Sequence, residues 1–377
     1  MAYDTAAPGV YVKEITPAGP IAGVGSTVTA FVGTPAVLPG EAGLGEPFPV
    51  TTWTAYVAKF GDYKAGVQLP YAVKGFFDNG GTFAYIVPVQ NAAGLDAAID
   101  RLTRYPDVSM VCLPGTVDAA AQAKVLAHCE TMGDRFAVLD GVQDANPVNP
   151  QGPLLTQRGG LDSGNGFGAL YWPWLVIPDP GAPDRRLTVP PSGHVAGIMA
   201  RCDDTVGVHR APANEDVRGA LDVEYQLNDT EQGQLNHRNI NAIRRFPGGP
   251  PLVWGARTLT TSVSWQYVNV RRLVCYVEDS IRQGVRWAVF APNDLRLWRG
   301  LERSIGEFLT RVWQAGALFG ATAKDAFYVS ITEELNPPDV RARGEVVIEI
   351  GLAPSRPAEF IELRIGLWDG GASISEG

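Results

Sequence analysis

Between residues 253 and 320 the chain reads V-W-G-A-R-T-L (253–259), W-Q-Y-V-N-V-R-R-L (265–273) and A-P-N-D-L-R-L-W-R-G-L (291–301), and it closes with L-F-G (318–320). Two amphipathic helices are written into it. The first places Val270, Leu273, Val274, Val277 and Ile281 at helical spacing, with Gly284 as its stop. The second begins after Pro292 and Asn293, with Asn293 as the expected N-cap, and carries Trp298, Leu301, Ile305, Phe308, Leu309 and Val312 on one face. Gly316 and Gly320 punctuate its end. Spacing alone specifies two core helices of an α/β domain.

Downstream, Phe327, Val329 and Ile331 share one side of an extended segment, and Val346, Ile348 and Ile350 share one side of the next. A last segment carries Ile361, Leu363, Ile365 and Leu367 on one face, with Glu362 and Arg364 on the other. Prolines at 354 and 357 set it apart, so 352–357 reads as a hinge. The opposite end has the same design. Val10, Tyr11, Val12, Lys13 and Glu14 form a short strand between Pro8 and the breakers Pro17, Gly19 and Pro20. A strand isolated in this way pairs either with a distant edge of its own domain or with another chain by strand addition.

Upstream, strands and helices alternate. S-T-V-T-A-F-V-G (26–33) is a buried strand; Thr52 caps a helix over Trp53, Tyr56, Val57 and Phe60; Pro70 opens another over Ala72, Val73, Phe76 and Phe77. A strand at 83–89, a strand at 108–113, an Ala-rich helix at 118–132 and a strand at 135–139 follow. This alternation predicts a locally parallel, doubly wound sheet. Residues 143–168 read as a long polar loop, 170–177 as one apolar strand, and 190–201 as a helix entered through P-P-S-G-H.

A chain of 377 residues suits two or three domains, and 45% hydrophobic with 19% charged residues is the composition of a folded chain. The formal charge of -9 argues against nucleic acid or an anionic membrane as the main partner. The four cysteines (112, 129, 202, 275) form no CxxC pair, so neither a zinc site nor a disulfide framework is expected. M-A-Y-D-T-A-A-P carries no signal-peptide pattern, and no apolar run approaches membrane-spanning length.

Chemistry is sparse. Gly164, Gly166 and Gly168 precede a strand and open no helix, unlike a nucleotide fingerprint, and no G-x-x-x-x-G-K-[ST] or G-x-S-x-G occurs. Ser192 lies two residues from His194, a spacing that makes no nucleophile–base pair, and a helix cap is its expected role. The histidines (128, 194, 209, 237) form no HxxxH. Glu333 and Glu334 read as a solvated end. No catalytic residue, metal or cofactor is predicted. The competing class is a soluble α/β enzyme with its site in the loops after the parallel strands, near 114–118 and Asp179.

The order P-G-V-Y-V-K-E (8–14), F-V-G (31–33), A-V-K-G-F-F-D-N-G-G (72–81), A-Y-I-V-P-V (84–89), G-V-H-R-A-P-A-N-E (207–215), L-N-H-R-N-I-N-A-I-R-R-F-P (235–247) and the 253–320 block resembles contractile tail sheath proteins along nearly the whole chain. The resemblance implies an α/β (α+β overall) structural subunit without enzymatic activity, in a helical sheath of stacked rings. It implies an arm at 1–20, an outer α/β domain at 21–250, an inner α+β domain at 251–357 and a second arm at 358–377. The arms would each donate a strand, through Val10 to Glu14 and through Ile361, Leu363, Ile365 and Leu367. Implied partners are an inner tube protein, baseplate and tail-terminator proteins and further copies of the chain, with no nucleic acid and no membrane insertion. Assembly in the bacterial cytoplasm and a final place in a phage tail or tail-like particle follow. The polar face of the second helix, Arg296, Arg299, Arg303, Glu307 and Arg311, with Glu302, is the expected tube contact.

Overall fold

The computed structural model of the chain describes residues 20–362. Its centre is a nine-stranded sheet. In chain order its strands are β1 (Thr29–Gly33), β2 (Phe48–Val50), β3 (Ala84–Pro88), β4 (Met110–Cys112), β5 (Phe136–Asp140), β6 (Gly168–Trp172), β9 (Glu215–Asp216), β11 (Ile240–Arg245) and β12 (Pro251–Val253). They lie side by side as β2-β3-β1-β4-β5-β6-β11-β12-β9. The six from β3 to β11 run parallel, with Phe31 opposite Ile86 on one side and Cys112 on the other. The short strands β2 and β12 run antiparallel to these six, and the edge strand β9 antiparallel to β12.

The parallel strands read as unbroken apolar runs because both sheet faces are covered. One face carries α1 (Trp53–Phe60), α2 (Leu69–Asp78) and α6 (Ser192–Thr205), which bury Phe60, Phe76, Val195 and Ile198 against Phe31, Ile86 and Val138. The other carries α3 (Leu95–Arg101), α4 (Ala119–Met132), α5 (Pro153–Gly159) and α7 (Asp229–His237), with Ile99, Leu126, Leu154 and Leu235 against Val32, Val111 and Leu170. The expected doubly wound arrangement is therefore present. Thr52 caps α1 and Asp118 caps α4, each accepting from the backbone N–H three residues on. Helices α2 and α6 touch backbone to backbone: a Cβ on Gly193 would lie 2.2 Å from the Ala72 carbonyl oxygen.

Two expectations from the pattern are corrected. Residues 170–177 are not one strand: Pro173, which has no N–H for a ladder, ends β6, and the chain leaves the large sheet. It then forms β7 (Leu175–Asp179) and β8 (Ala182–Val189), a hairpin joined by β10 (Asp222–Val223). The polar stretch 143–168 contains α5, entered at Pro153 and anchored by buried Leu154 and Gln157. With only two inward residues, α5 had no readable period.

The remaining unit holds α8 (Val268–Gly284), α9 (Leu295–Gln314) and a two-stranded antiparallel sheet of β13 (Phe327–Ser330) and β14 (Glu349–Leu352). Helix α8 ties it to the sheet domain. Its Val268 enters one sheet-face core, its Cys275 the other, and Leu273 and Val277 join Ile305, Phe308 and Leu309 of α9. All six residues read onto the apolar face of α9 are buried. Its cap is Asp294, which accepts from Leu297 N, and not Asn293. Asn293 instead accepts from Trp298 Nε1 and donates to the Glu345 carbonyl, tying α9 to the approach of β14.

Candidate assembly surfaces

An α/β enzyme keeps its site where the parallel strands end in carboxyl termini. Here that position is a closed polar lock. Asp140, at the end of β5 and fully buried, accepts from Gly115 N at 2.9 Å, Ser192 N at 2.7 Å and Ser192 Oγ at 2.8 Å. Burial pushes its carboxyl up to about 6, against these hydrogen bonds. Ser192 is thus a donor to Asp140 in the first turn of α6 and not a cap; α6 follows Pro191 without a side-chain cap. The lock pins the loop after β4 and the start of α6 to β5.

The other titratable candidates are equally inert. Burial lowers the His194 imidazole to about 4, with Asp78 and Lys74 as opposing minor influences, so the ring is neutral. All four cysteines are buried free thiols, pushed up by burial. Among the described residues no group of His, Cys, Asp or Glu could hold a metal ion, and no helix is long and apolar enough to cross a membrane.

The smallest sheet is the candidate joining surface: among the described residues β13 and β14 pair only with each other, Val329 opposite Ile350. Beside β14 runs a groove of about 600 Å³ lined by Val270, Val274 and Ile281 from α8 and by Ile350 and Leu352 from β14, together with the charged Glu278, Arg282 and Arg356. A two-stranded sheet is marginal alone and gains from a further strand.

The roots of both termini are fixed beside this unit. At the N-terminal root Ile21 is buried against Gly284, where a Cβ would come within 2.6 Å of the isoleucine side chain. Arg311 donates to the Ile21 carbonyl at 2.6 Å, and Val24 N donates to Ser280 Oγ at 3.1 Å. Ser26 Oγ and Arg272 both reach Asp203, at 2.6 and 2.7 Å, and Arg272 also donates to the Ser26 carbonyl. Burial alone would lower the Arg272 pKa; the adjoining Asp203 carboxylate outweighs it and holds it raised. At the C-terminal root, Phe319 N donates to the Ala353 carbonyl and Ser355 N to the Ala317 carbonyl, so 352–357 is bonded to its own unit and is not a hinge. Glu359 then accepts from Arg257 Nη2 at 2.6 Å, Asn236 Nδ2 at 2.7 Å and the Tyr267 hydroxyl at 3.1 Å. Immediately beyond, Phe360 and Ile361 are largely exposed.

Of the strand residues expected in the arms, Val10, Tyr11, Val12, Lys13, Glu14, Leu363, Ile365 and Leu367 lie outside the described residues. Ile361 is described, exposed, and in no strand. On α9, Arg296, Arg299, Glu302, Arg303 and Glu307 are exposed as the pattern required. Arg311 differs: it is exposed but spent on Ile21. The clamps Arg272–Asp203 and Arg257–Glu359 escaped sequence reading. The only signal was an arginine inside an otherwise core-facing stretch, with its partner 69 or 102 residues away.

Comparison with known proteins places these features. Residues 88–259 match the phage tail sheath protein central domain and residues 260–367 the phage tail sheath C-terminal domain. The chain is 25% identical over 292 residues to a putative prophage major tail sheath protein of Pseudomonas aeruginosa, covering 73% of this chain and 69% of that one. Its fold superposes on the contracted sheath of an extracellular contractile injection system, PVC, with a TM-score of 0.81 at 28% identity, over 97% of this chain and 98% of the other. The contracted helical sheath of the anti-feeding prophage gives 0.79 at 29% identity, over 96% and 99%.

Proposed function

The chain belongs to the phage tail sheath family, structural components of contractile particles and not enzymes, and on that footing we propose that it polymerises around an inner tube and contracts to drive that tube through a target envelope. The observation that carries this reading is the β13–β14 sheet, two-stranded among the described residues, with its largely apolar groove, lying beside two anchored chain roots. The two arms, at 1–20 and 358–377, each give a strand to the sheet of a neighbouring copy. A strand of five residues adds about four or five backbone hydrogen bonds, each worth roughly 0.5–1.5 kcal/mol net. Two arms then link each subunit by several kcal/mol without a large flat interface.

Contraction in this proposal leaves the strands paired while rigid units rotate about a pivot at each root. With 352–357 bonded at home, the C-terminal pivot starts after Glu359. The α/β unit at 21–250 faces outward and the unit at 251–357 faces the tube, its strand β12 lying between β11 and β9 of the large sheet across that boundary. Arg296, Arg299 and Arg303 on α9 meet the tube with Glu307, while Arg311 serves its own chain. Exposed ion pairs of about 0–1 kcal/mol each grip in the extended state and release cheaply. Baseplate and terminator proteins cap the cylinder, and assembly takes place in the cytoplasm of the producing bacterium.

Electron microscopy of the full-length protein beside a variant lacking residues 1–20 tests the linkage. Cylinders from the first and none from the second are expected. Cylinders from both would refute strand donation by the N-terminal arm.

A further inference from the structure

The turn joining α8 to α9 ends in an apolar tip that is exposed among the described residues. Phe290 is 103% exposed and holds φ at +65°, the left-handed region that a bulky L-residue seldom occupies. Val289 and Leu295 beside it are also exposed. Trp287 is half-exposed and reaches α9, one ring atom 3.4 Å from the place a Cβ would take on Gly300. The helical neighbours of Gly300, four residues before and three after, are Arg296 and Arg303. Arg286, Arg296, Arg299 and Arg303 are exposed and make no ion pair or hydrogen bond among the described residues. One helical turn beyond Arg303, Gly306 faces open space, and its missing side chain lets a foreign surface approach the helix closely.

Three acids border this patch. Asp294 is engaged as the helix cap, Glu302 lies on the opposite side of α9 from Gly300, and Glu307 lies one turn past Arg303. The row is therefore basic at its Arg296–Arg303 end and mixed beyond it. A tryptophan beside unpaired arginines, with an exposed phenylalanine three residues on, has the composition of an interface hot spot, in which a few aromatic and arginine anchors carry most of the binding.

We infer that Phe290 and Trp287 form the apolar anchor of the sheath–tube contact, seated in an apolar socket on an acidic tube wall. The inference rests on the tube-facing reading of α9 and deepens it. The arginines supply steering and register, whereas the rings supply the residence time that exposed ion pairs cannot. The occupant is acidic because the row on α9 is basic and unpaired. It is a firm wall because the anchor is held out by a strained backbone and needs no rearrangement to dock.

The test uses the full-length chain, purified inner tubes of the same particle and Phe290→Gly, which removes the ring and the left-handed strain together. Its melting temperature should be equal or higher, and its tube-free polymer normal. The fraction of tubes that become sheathed, counted by electron microscopy, should fall at least tenfold, and Trp287→Ala should act in the same direction. Unchanged sheathing by Phe290→Gly overturns the proposal. Loss of polymer with and without tubes alike also overturns it and assigns the tip to a second copy of the chain. Binding of the wild type to phosphatidylserine vesicles that Phe290→Gly abolishes, with sheathing intact, assigns it to a membrane and overturns it too. The triple change Arg296→Glu, Arg299→Glu, Arg303→Glu separates the two levels. Sheathing lost there but kept in Phe290→Gly leaves α9 on the tube and removes the anchor; sheathing kept in both removes the tube-facing reading itself.

Discussion

Arg257 and Glu359, 102 residues apart, are joined side-on: Nη2 and Nε lie 2.6 and 3.2 Å from Oε2, and Nε lies 2.9 Å from Oε1. This forked pair ties the start of the C-terminal arm to the strand-to-helix segment that leads out of the large sheet. Asn236 and Tyr267 fill the remaining acceptor positions of the carboxylate.

Glu359→Gln should destabilise the subunit by about 1–3 kcal/mol in urea unfolding, since it removes a charged acceptor from a mostly buried fork. Burial alone would raise this carboxyl, but the hydrogen bonds from Arg257 and Asn236 hold it below the ordinary 4.5. A depressed acid stabilises the fold above its unfolded pKa and loses that contribution as pH falls. The gap between wild type and variant should therefore be full at pH 7 and narrow below about pH 4.5. A gap that widens in acid would contradict the assignment.

Arg272 and Asp203 are 3% and 4% exposed at their side chains, so neither can turn to water if its partner is lost. Arg272→Met should cost about 3–5 kcal/mol by leaving a buried carboxylate alone, whereas Arg272→Met with Asp203→Leu should recover much of it. A double-mutant cycle by denaturant melting measures the coupling. Additive losses would show that the pair is not the link between α6, α8 and Ser26.

His194 should make the subunit acid-sensitive. Its folded-state pKa of about 4 lies below the ordinary 6.5, so the unfolded chain takes up the proton first. Stability is full above 6.5 and falls as pH drops toward 4, by at most about 3 kcal/mol at roughly 1.4 kcal/mol per unit. The slope of unfolding free energy against pH should flatten in His194→Leu. An unchanged slope would place the sensitivity elsewhere.

Two glycine substitutions in helices should have opposite signs. Gly193→Ala puts a methyl 2.2 Å from the Ala72 carbonyl oxygen, where only backbone can yield, and should cost about 1–3 kcal/mol or more. Gly233→Ala in α7 meets open space and should gain about 0.5–1 kcal/mol. Thermal melts of both variants decide the matter.

Periodicity made α8 and α9 legible to within a few residues, because each carries a long apolar face that must be buried. It failed on α5, too short to show a period, and on the β6–β7 run, where an apolar stretch passes from one sheet to another at Pro173. Local signals also misassigned single residues. Asn293 and Asp294 are both good caps, and only the position of Glu345 tells that Asn293 is used elsewhere. Ser192 sits at a helix start, yet Asp140, 52 residues earlier, claims its hydroxyl. The clamps are invisible for the same reason, since each is made by residues that only the finished fold brings together.

The outer strands of the large sheet are a three-residue segment containing Pro49 and a two-residue segment made of Glu215 and Asp216. Such short, proline-bearing or charged borders discourage unwanted pairing between sheets. In the proposed assembly these blunted borders keep the large sheets of a concentrated pool from pairing with one another, so that growth is left to the donated strands.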